Sequence, residues 1–91
     1  MYEVIPTNRF QKEVRLLKKR GYSIDLLTKV IKCLAAGQPL PERNRDHALA
    51  GNWVGYRECH ILPDWLLIYK KEQNILVLTL SRTGTHSDLD L

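Results

Sequence analysis

The sequence predicts an α+β fold in which an N-terminal strand and a helical hairpin pack on one face of a mostly antiparallel, curved sheet. Two observations carry this expectation. The first half holds two stretches of helical periodicity, and the second half holds three apolar runs split by short polar turns. Ninety-one residues, 44% of them apolar and 26% charged, suit a single modest core, so residues 1–91 are expected to form one domain.

"YEVIP" alternates weakly and stops at a proline, as a short first strand does. Thr7 is then placed to cap a helix whose apolar residues Phe10, Val14 and Leu17 share one face, and "KKRG" ends it with cations in the last turn before Gly21. Ser23 is expected to cap a second helix with Asp25 in its first turn. Its stripe is Ile24, Leu27, Ile31 and Leu34, widened by Leu26, Val30 and Cys33, and Gly37 and Pro39 end it. So short a link makes the pair an antiparallel hairpin.

Residues 39–52, rich in Pro, Arg, Asn and Asp, read as a loop. Strands are expected over Gly55–Ile61, Trp65–Lys70 and Ile75–Ser81, with "LPD" and "KEQN" as turns. Connections this short force an antiparallel meander. With the helices on one face, the other face of the sheet is left open.

Several function classes are excluded. The apolar runs "WLLIY" and "ILVLTL" are too short to cross a bilayer. "MYEVIPTNRF" has acidic and polar residues where a secretory signal has a basic start and an apolar run, so a cytoplasmic protein is expected. Cys33 and Cys59 lack CxxC spacing and read as reduced packing residues. Charge is uneven: residues 1–45 hold ten Lys or Arg against four Asp or Glu, and residues 46–91 hold four against six. A basic first half calls for a polyanionic partner, nucleic acid or an acidic protein.

The histidines, His47, His60 and His86, all lie in the second half. Asp64 follows His60 in a turn, and Arg82 precedes His86 by four residues. A meander brings the end of its first strand, the start of its second and the end of its third to one edge, so His60, Asp64 and Arg82 are expected at the same end of the sheet. Histidine exchanges protons near neutral pH, a carboxylate orients or charges it, and arginine offers fixed donors to phosphate. Together they suit RNA cleavage, in which a 2'-hydroxyl is deprotonated, a pentacoordinate phosphate is stabilised and the leaving 5'-oxygen is protonated. No metal or other cofactor is required. Spacings of 13 residues from His47 to His60 and 26 from there to His86 match no compact metal motif.

"DHALAGNWVGYRECHILPDWLLIY", residues 46–69, and "RTGTHSDL", residues 82–89, closely resemble the YafQ branch of the RelE superfamily, whose pattern runs DHxLxGxWxGYRxxHxxPDWxLIY and then RxGTHxxLF. The resemblance implies the toxin of a type II toxin–antitoxin pair, a ribosome-dependent endoribonuclease that cuts messenger RNA in the decoding site without metal. It places the catalytic positions at His47, His60, Asp64, Arg82 and His86, with Trp65 beside them as an RNA- or ribosome-binding support. His86 is then expected as general acid or base, His60 with Asp64 as the complementary proton-transfer pair, His47 at the phosphate and Arg82 on the charged transition state. Lys18, Lys19 and Arg20 would meet ribosomal RNA. The implied partners are a cognate antitoxin, the ribosome with its messenger RNA, and operator DNA only through the antitoxin complex. One departure is the ending "DLDL", where the family carries an aromatic; Asp88 and Asp90 are expected to repel phosphate.

The competing reading is a protein-targeting toxin of the same fold, like the ParE relatives that poison gyrase; those relatives lack the histidine set. A DNA-binding regulator finds no recognition-helix motif here.

Overall fold

The computed structural model describes residues 1–91. Strand β1 (Glu3–Pro6) leads into helices α1 (Asn8–Lys19) and α2 (Ile24–Ala35), then come β2 (His47–Ala48), β3 (Arg57–Leu62), β4 (Trp65–Glu72), β5 (Val77–Gly84) and a last one-turn helix α3 (His86–Leu89). The sheet order is β1-β5-β4-β3-β2, with β1 parallel to β5 and every other pair antiparallel. This is the expected α+β architecture, a single sheet with the helices of the first half on one face.

Thr7 caps α1 as expected, its hydroxyl accepting the Phe10 N–H at 3.1 Å. Ser23 occupies the matching position before α2, but its hydroxyl takes no cap hydrogen bond. Phe10 and Leu17 from α1, with Leu27, Val30 and Leu34 from α2, bury themselves against Cys59, Ile61, Trp65, Leu67, Tyr69, Leu78 and Leu80 of the sheet. These are odd positions of β3 and β4 and even positions of β5, as period-two alternation along each strand requires. Both cysteines are free, Cys59 wholly buried and Cys33 partly so. Burial pushes the Cys59 thiol well above its ordinary range, so it is inert packing. No helix is long and apolar enough to cross a membrane.

Four expectations change. The meander begins at Arg57 because Gly55, at φ 90°, belongs to the turn before it. β4 runs on to Glu72 rather than stopping at Lys70. β5 begins at Val77, since Leu76 takes a left-handed turn conformation, and extends through "RTG" to Gly84, paired with Leu66 of β4. The end of the chain is therefore structured: Thr83, Thr85 and Leu89 are buried. The loop over 39–52 contains a short edge strand, β2, and two 3-10 turns. The far face of the sheet is accordingly open only in part. Leu66, Ile68 and Leu89 form a second small core there, with Leu49, Trp53 and Tyr56 against it.

Candidate active site

Alternation on β3 sends Cys59 and Ile61 into the helical core and turns Glu58 and His60 to the other face. Across the ladder, His47 of β2 lies opposite Glu58, Glu58 opposite Ile68, and Ile68 opposite Arg82; in the next row His60 lies opposite Leu66 and Leu66 opposite Gly84. Residues that face each other across a ladder share a face. Sequence-distant polar residues are thus collected into two adjacent rows, with Glu58 and Arg82 two strand spacings, about 10 Å, apart.

The tail delivers His86. Gly84 ends β5, Thr85 caps α3, and the first residue of that helix lies over the β3–β4 turn. There the His86 backbone N–H donates to Asp64 at 2.9 Å and its Nδ1 meets the same carboxylate oxygen at 2.5 Å. These two contacts, the backbone one first, hold the Asp64 carboxyl below the usual carboxylate range. The sequence paired Asp64 with His60. The structure pairs it with His86, because the helical turn of the tail reaches the turn residue before the strand histidine does. The carboxylate beside His60 is Glu58, buried to 7% exposure, with 3.6 Å between its Oε1 and His60 Nε2.

All three histidines use Nδ1 in the same way. His47 Nδ1 faces the Arg45 carbonyl at 2.6 Å, His60 Nδ1 faces the Pro63 carbonyl at 3.2 Å, and His86 Nδ1 faces Asp64. A carbonyl or an ionised carboxylate can only accept, so each Nδ1 carries the proton; Nε2 of His47 and of His86 is left for exchange with a ligand, while Nε2 of His60 faces the Glu58 carboxylate. The His60 and His86 ring centroids lie 5.7 Å apart. Two imidazoles this close, beside a buried carboxylate, have the make-up that acid–base chemistry requires. The acceptor atoms of Glu58, His60 and His86 lie within 4.8 Å of one another, so the same three residues could hold a divalent cation. Glu58 escaped the sequence reading; period-two alternation with His60 was the signal available.

His47 is positioned from behind. Asp46 accepts from Arg57 Nε at 3.2 Å and from the Tyr69 hydroxyl, which fixes the loop just before β2. Arg82 lies in the Glu58 row, and its guanidinium is ion-paired with Glu13 of α1 at 2.7 Å. Trp65, expected to support RNA or ribosome binding, is instead wholly buried. Its position on the helix-facing side of β4 puts the ring in the main core, and its Nε1–H donates to Thr83 at 2.9 Å. It can act on the site only by holding β5. Lys18 and Lys19 are exposed at the end of α1, but Arg20 is drawn into a 2.8 Å ion pair with Asp88. Asp88 is therefore no free charge turned against phosphate: it also accepts the Thr85 N–H, and these two contacts lower its carboxyl pKa.

The family model for the bacterial toxin of type II toxin–antitoxin systems, YafQ, matches residues 2–91. The chain belongs to the YafQ family. Among YafQ relatives, the mRNA interferase toxin YafQ of Escherichia coli K12 is 39% identical over 84 residues, covering 91% of this chain and 89% of that protein. The crystal structure of the Escherichia coli DinJ–YafQ complex matches with a TM-score of 0.90 at 37% identity, over 98% of both chains. That of a metal-bound toxin from Helicobacter pylori matches with a TM-score of 0.91 at 39% identity, over 98% of this chain and 99% of that one. The α+β fold is thus the fold of YafQ, with its histidine-bearing rows between β2 and the tail.

Proposed function

We propose that this YafQ-family toxin is a ribosome-dependent endoribonuclease that cuts messenger RNA in the decoding site by metal-independent acid–base chemistry, in the cytoplasm. One observation carries the reading: the His60 and His86 ring centroids lie 5.7 Å apart, with Nε2 of His86 left for a ligand and Nε2 of His60 beside the Glu58 carboxylate. Nε2 of His86, backed by Asp64, takes the proton of a 2'-hydroxyl, whose oxygen attacks the adjacent phosphorus. The bond to the 5'-oxygen breaks, and Nε2 of His60, with the Glu58 carboxylate 3.6 Å behind it, gives that oxygen a proton. The products are a 2',3'-cyclic phosphate and a 5'-hydroxyl. Arg82 and His47, flanking Glu58 in the same row, contribute positive charge and hydrogen bonds to the phosphate. The mRNA interferase name of the Escherichia coli relative supports the activity, and the DinJ–YafQ complex supports a cognate antitoxin for this chain. Such an antitoxin, an acidic segment folding on binding, would cover the basic first half or the site, and contact with operator DNA would come through it.

The test is to express the protein beside His86→Ala and map new 5' ends on one abundant messenger RNA. Cuts at in-frame codon positions that vanish in the variant are expected. In a purified ribosome assay with Mg²⁺ held in excess to keep the ribosomes intact, a chelator selective for transition metals should leave the rate unchanged. Added Zn²⁺ should inhibit, since Glu58, His60 and His86 would be tied up as ligands. Growth arrest that persists equally in both proteins without new ends would favour the protein-targeting alternative.

A further inference from the structure

We propose that Glu13 of helix α1 and Arg20, the residue that caps its C-terminal end, are positioning residues that dock the catalytic tail, Arg82 to Asp88, against the body of the protein. The inference rests on the reading that Arg82 and His86 carry the reaction. Glu13 and Arg20 are seven residues apart, two helical turns, and so share one face of α1. Both Glu13 oxygens are engaged: Oε2 accepts from Arg82 Nε at 2.8 Å and Nη2 at 2.7 Å, and Oε1 accepts the Thr83 N–H at 3.1 Å. The pairing of β1 with β5 ends at Leu80, so Glu13 takes over the edge of β5 where the strand partner stops. The ladder between β4 and β5 is also irregular at this point, between Ile68 and Tyr69.

Two turns on, Arg20 Nη1 donates to Asp88 Oδ2 at 2.8 Å, and that oxygen also accepts the Thr85 N–H that closes the capping box of α3. The Arg20 guanidinium lies 5.2 Å over the Tyr22 ring, which meets Trp65 edge-on. Between the two ion pairs runs a cleft of about 210 Å³ lined by Glu13, Leu16, Leu17, Arg20, Thr83 and Asp88. The helix presents acid then base and the tail presents base then acid. Only one direction of docking therefore pairs opposite charges; the reverse sets like against like. A helix of four residues cannot hold its own place. Its registry over the β3–β4 turn, and with it that of His86, is set from outside.

The test combines ribosome-dependent cleavage with backbone amide NMR on Glu13→Gln, Arg20→Gln, Arg20→Lys, Asp88→Asn and the Arg20→Gln/Asp88→Asn double variant. Arg20→Gln, Asp88→Asn and Glu13→Gln should each lower the maximal rate about tenfold, with half-saturating ribosome concentration unchanged, as a displaced catalytic group does. The double variant should be no slower than either single one, because both remove the same ion pair, and Arg20→Lys should recover most of the rate. The amide heteronuclear NOE over residues 86–89 should fall in the slow Arg20 and Asp88 variants and recover in Arg20→Lys. Arg20→Gln that weakens ribosome affinity at an intact maximal rate, with Asp88→Asn unchanged, would make Arg20 a ribosome-binding cation and overturn the proposal. So would a tail equally rigid in every variant. If the parent protein shows no ribosome-stimulated cleavage, the functional reading fails instead, and the amide measurement decides the docking by itself.

Discussion

At the scale of single residues, the site depends on what stands behind each imidazole. Carbonyls of Arg45 and Pro63 and the carboxylate of Asp64 take the three Nδ1 protons, so tautomer and ring orientation are set by neighbours at most three residues away for His47 and His60, and by a turn 22 residues back for His86. Glu58 adds the buried negative charge. Replacing it by Gln keeps the shape and removes that charge, so the maximal cleavage rate should fall about tenfold or more at unchanged ribosome affinity, as loss of support to a general acid does. An unchanged rate across the pH range would take Glu58 out of the chemistry. Gly84 is constrained differently: a Cβ there would lie 2.8 Å from the Asp88 Cβ, so either β5 or α3 must give way. Gly84→Ala should cost about 1–3 kcal/mol, the range for overpacking, read as a lower Tm, and should slow cleavage by moving His86. A variant as stable and as fast as the parent would show that α3 has room the structure does not give it.

At the scale of elements, α3 is the part most exposed to pH. The folded protein holds the Asp64 and Asp88 carboxyls below their ordinary range, Asp64 through two hydrogen bonds from His86 and Asp88 through the Thr85 N–H and Arg20. A lowered carboxylate pKa stabilises the folded form above the ordinary value of about 4, and that contribution is lost as pH falls through the lower folded value. The tail helix should therefore loosen at acid pH before the sheet does. Amide exchange at residues 86–89, followed downward from pH about 6, should accelerate below about 4 while β4 amides stay protected; simultaneous loss in both would mean the helix has no separate acid transition. β5 ties this behaviour to the body, since Thr83 takes the Trp65 N–H and donates its hydroxyl to the Leu66 carbonyl at 2.7 Å.

At the scale of the whole molecule, the charge separation seen in the sequence survives folding, but fewer cations are free than its count implies. Arg20 is paired with Asp88 and Arg57 with Asp46, while Lys18 and Lys19 stand exposed at the end of α1. Lys18→Glu with Lys19→Glu should weaken ribosome association and flatten its salt dependence by about one unit of log–log slope for each phosphate no longer neutralised. Binding unchanged across a salt series would move the ribosome-facing surface elsewhere on the protein. Leu16, 57% exposed on the same helix, is no part of the core and offers that surface some apolar area.

The sequence by itself determined the periodicities and hence the elements: Phe10, Val14 and Leu17 on one helical face, the apolar runs "WLLIY" and "ILVLTL" bounded by short polar turns, and a basic first half. It also determined the family, because the spacing of His47, His60, Asp64, Arg82 and His86 is carried in contiguous motifs. Only the tertiary structure decided which carboxylate serves which histidine. Asp64 is four residues from His60 in sequence, but a one-turn helix at the end of the chain brings His86 to it, and local spacing cannot encode a pairing made across 22 residues. The same holds for Glu13 with Arg82, 69 residues apart, and for Arg20 with Asp88, 68 apart. Burial likewise had to be seen: Trp65 and Glu58 sit on opposite faces of the sheet, and which face the helices cover is settled by where the core closes, with Trp65 sealed inside it and Glu58 left beside the histidines.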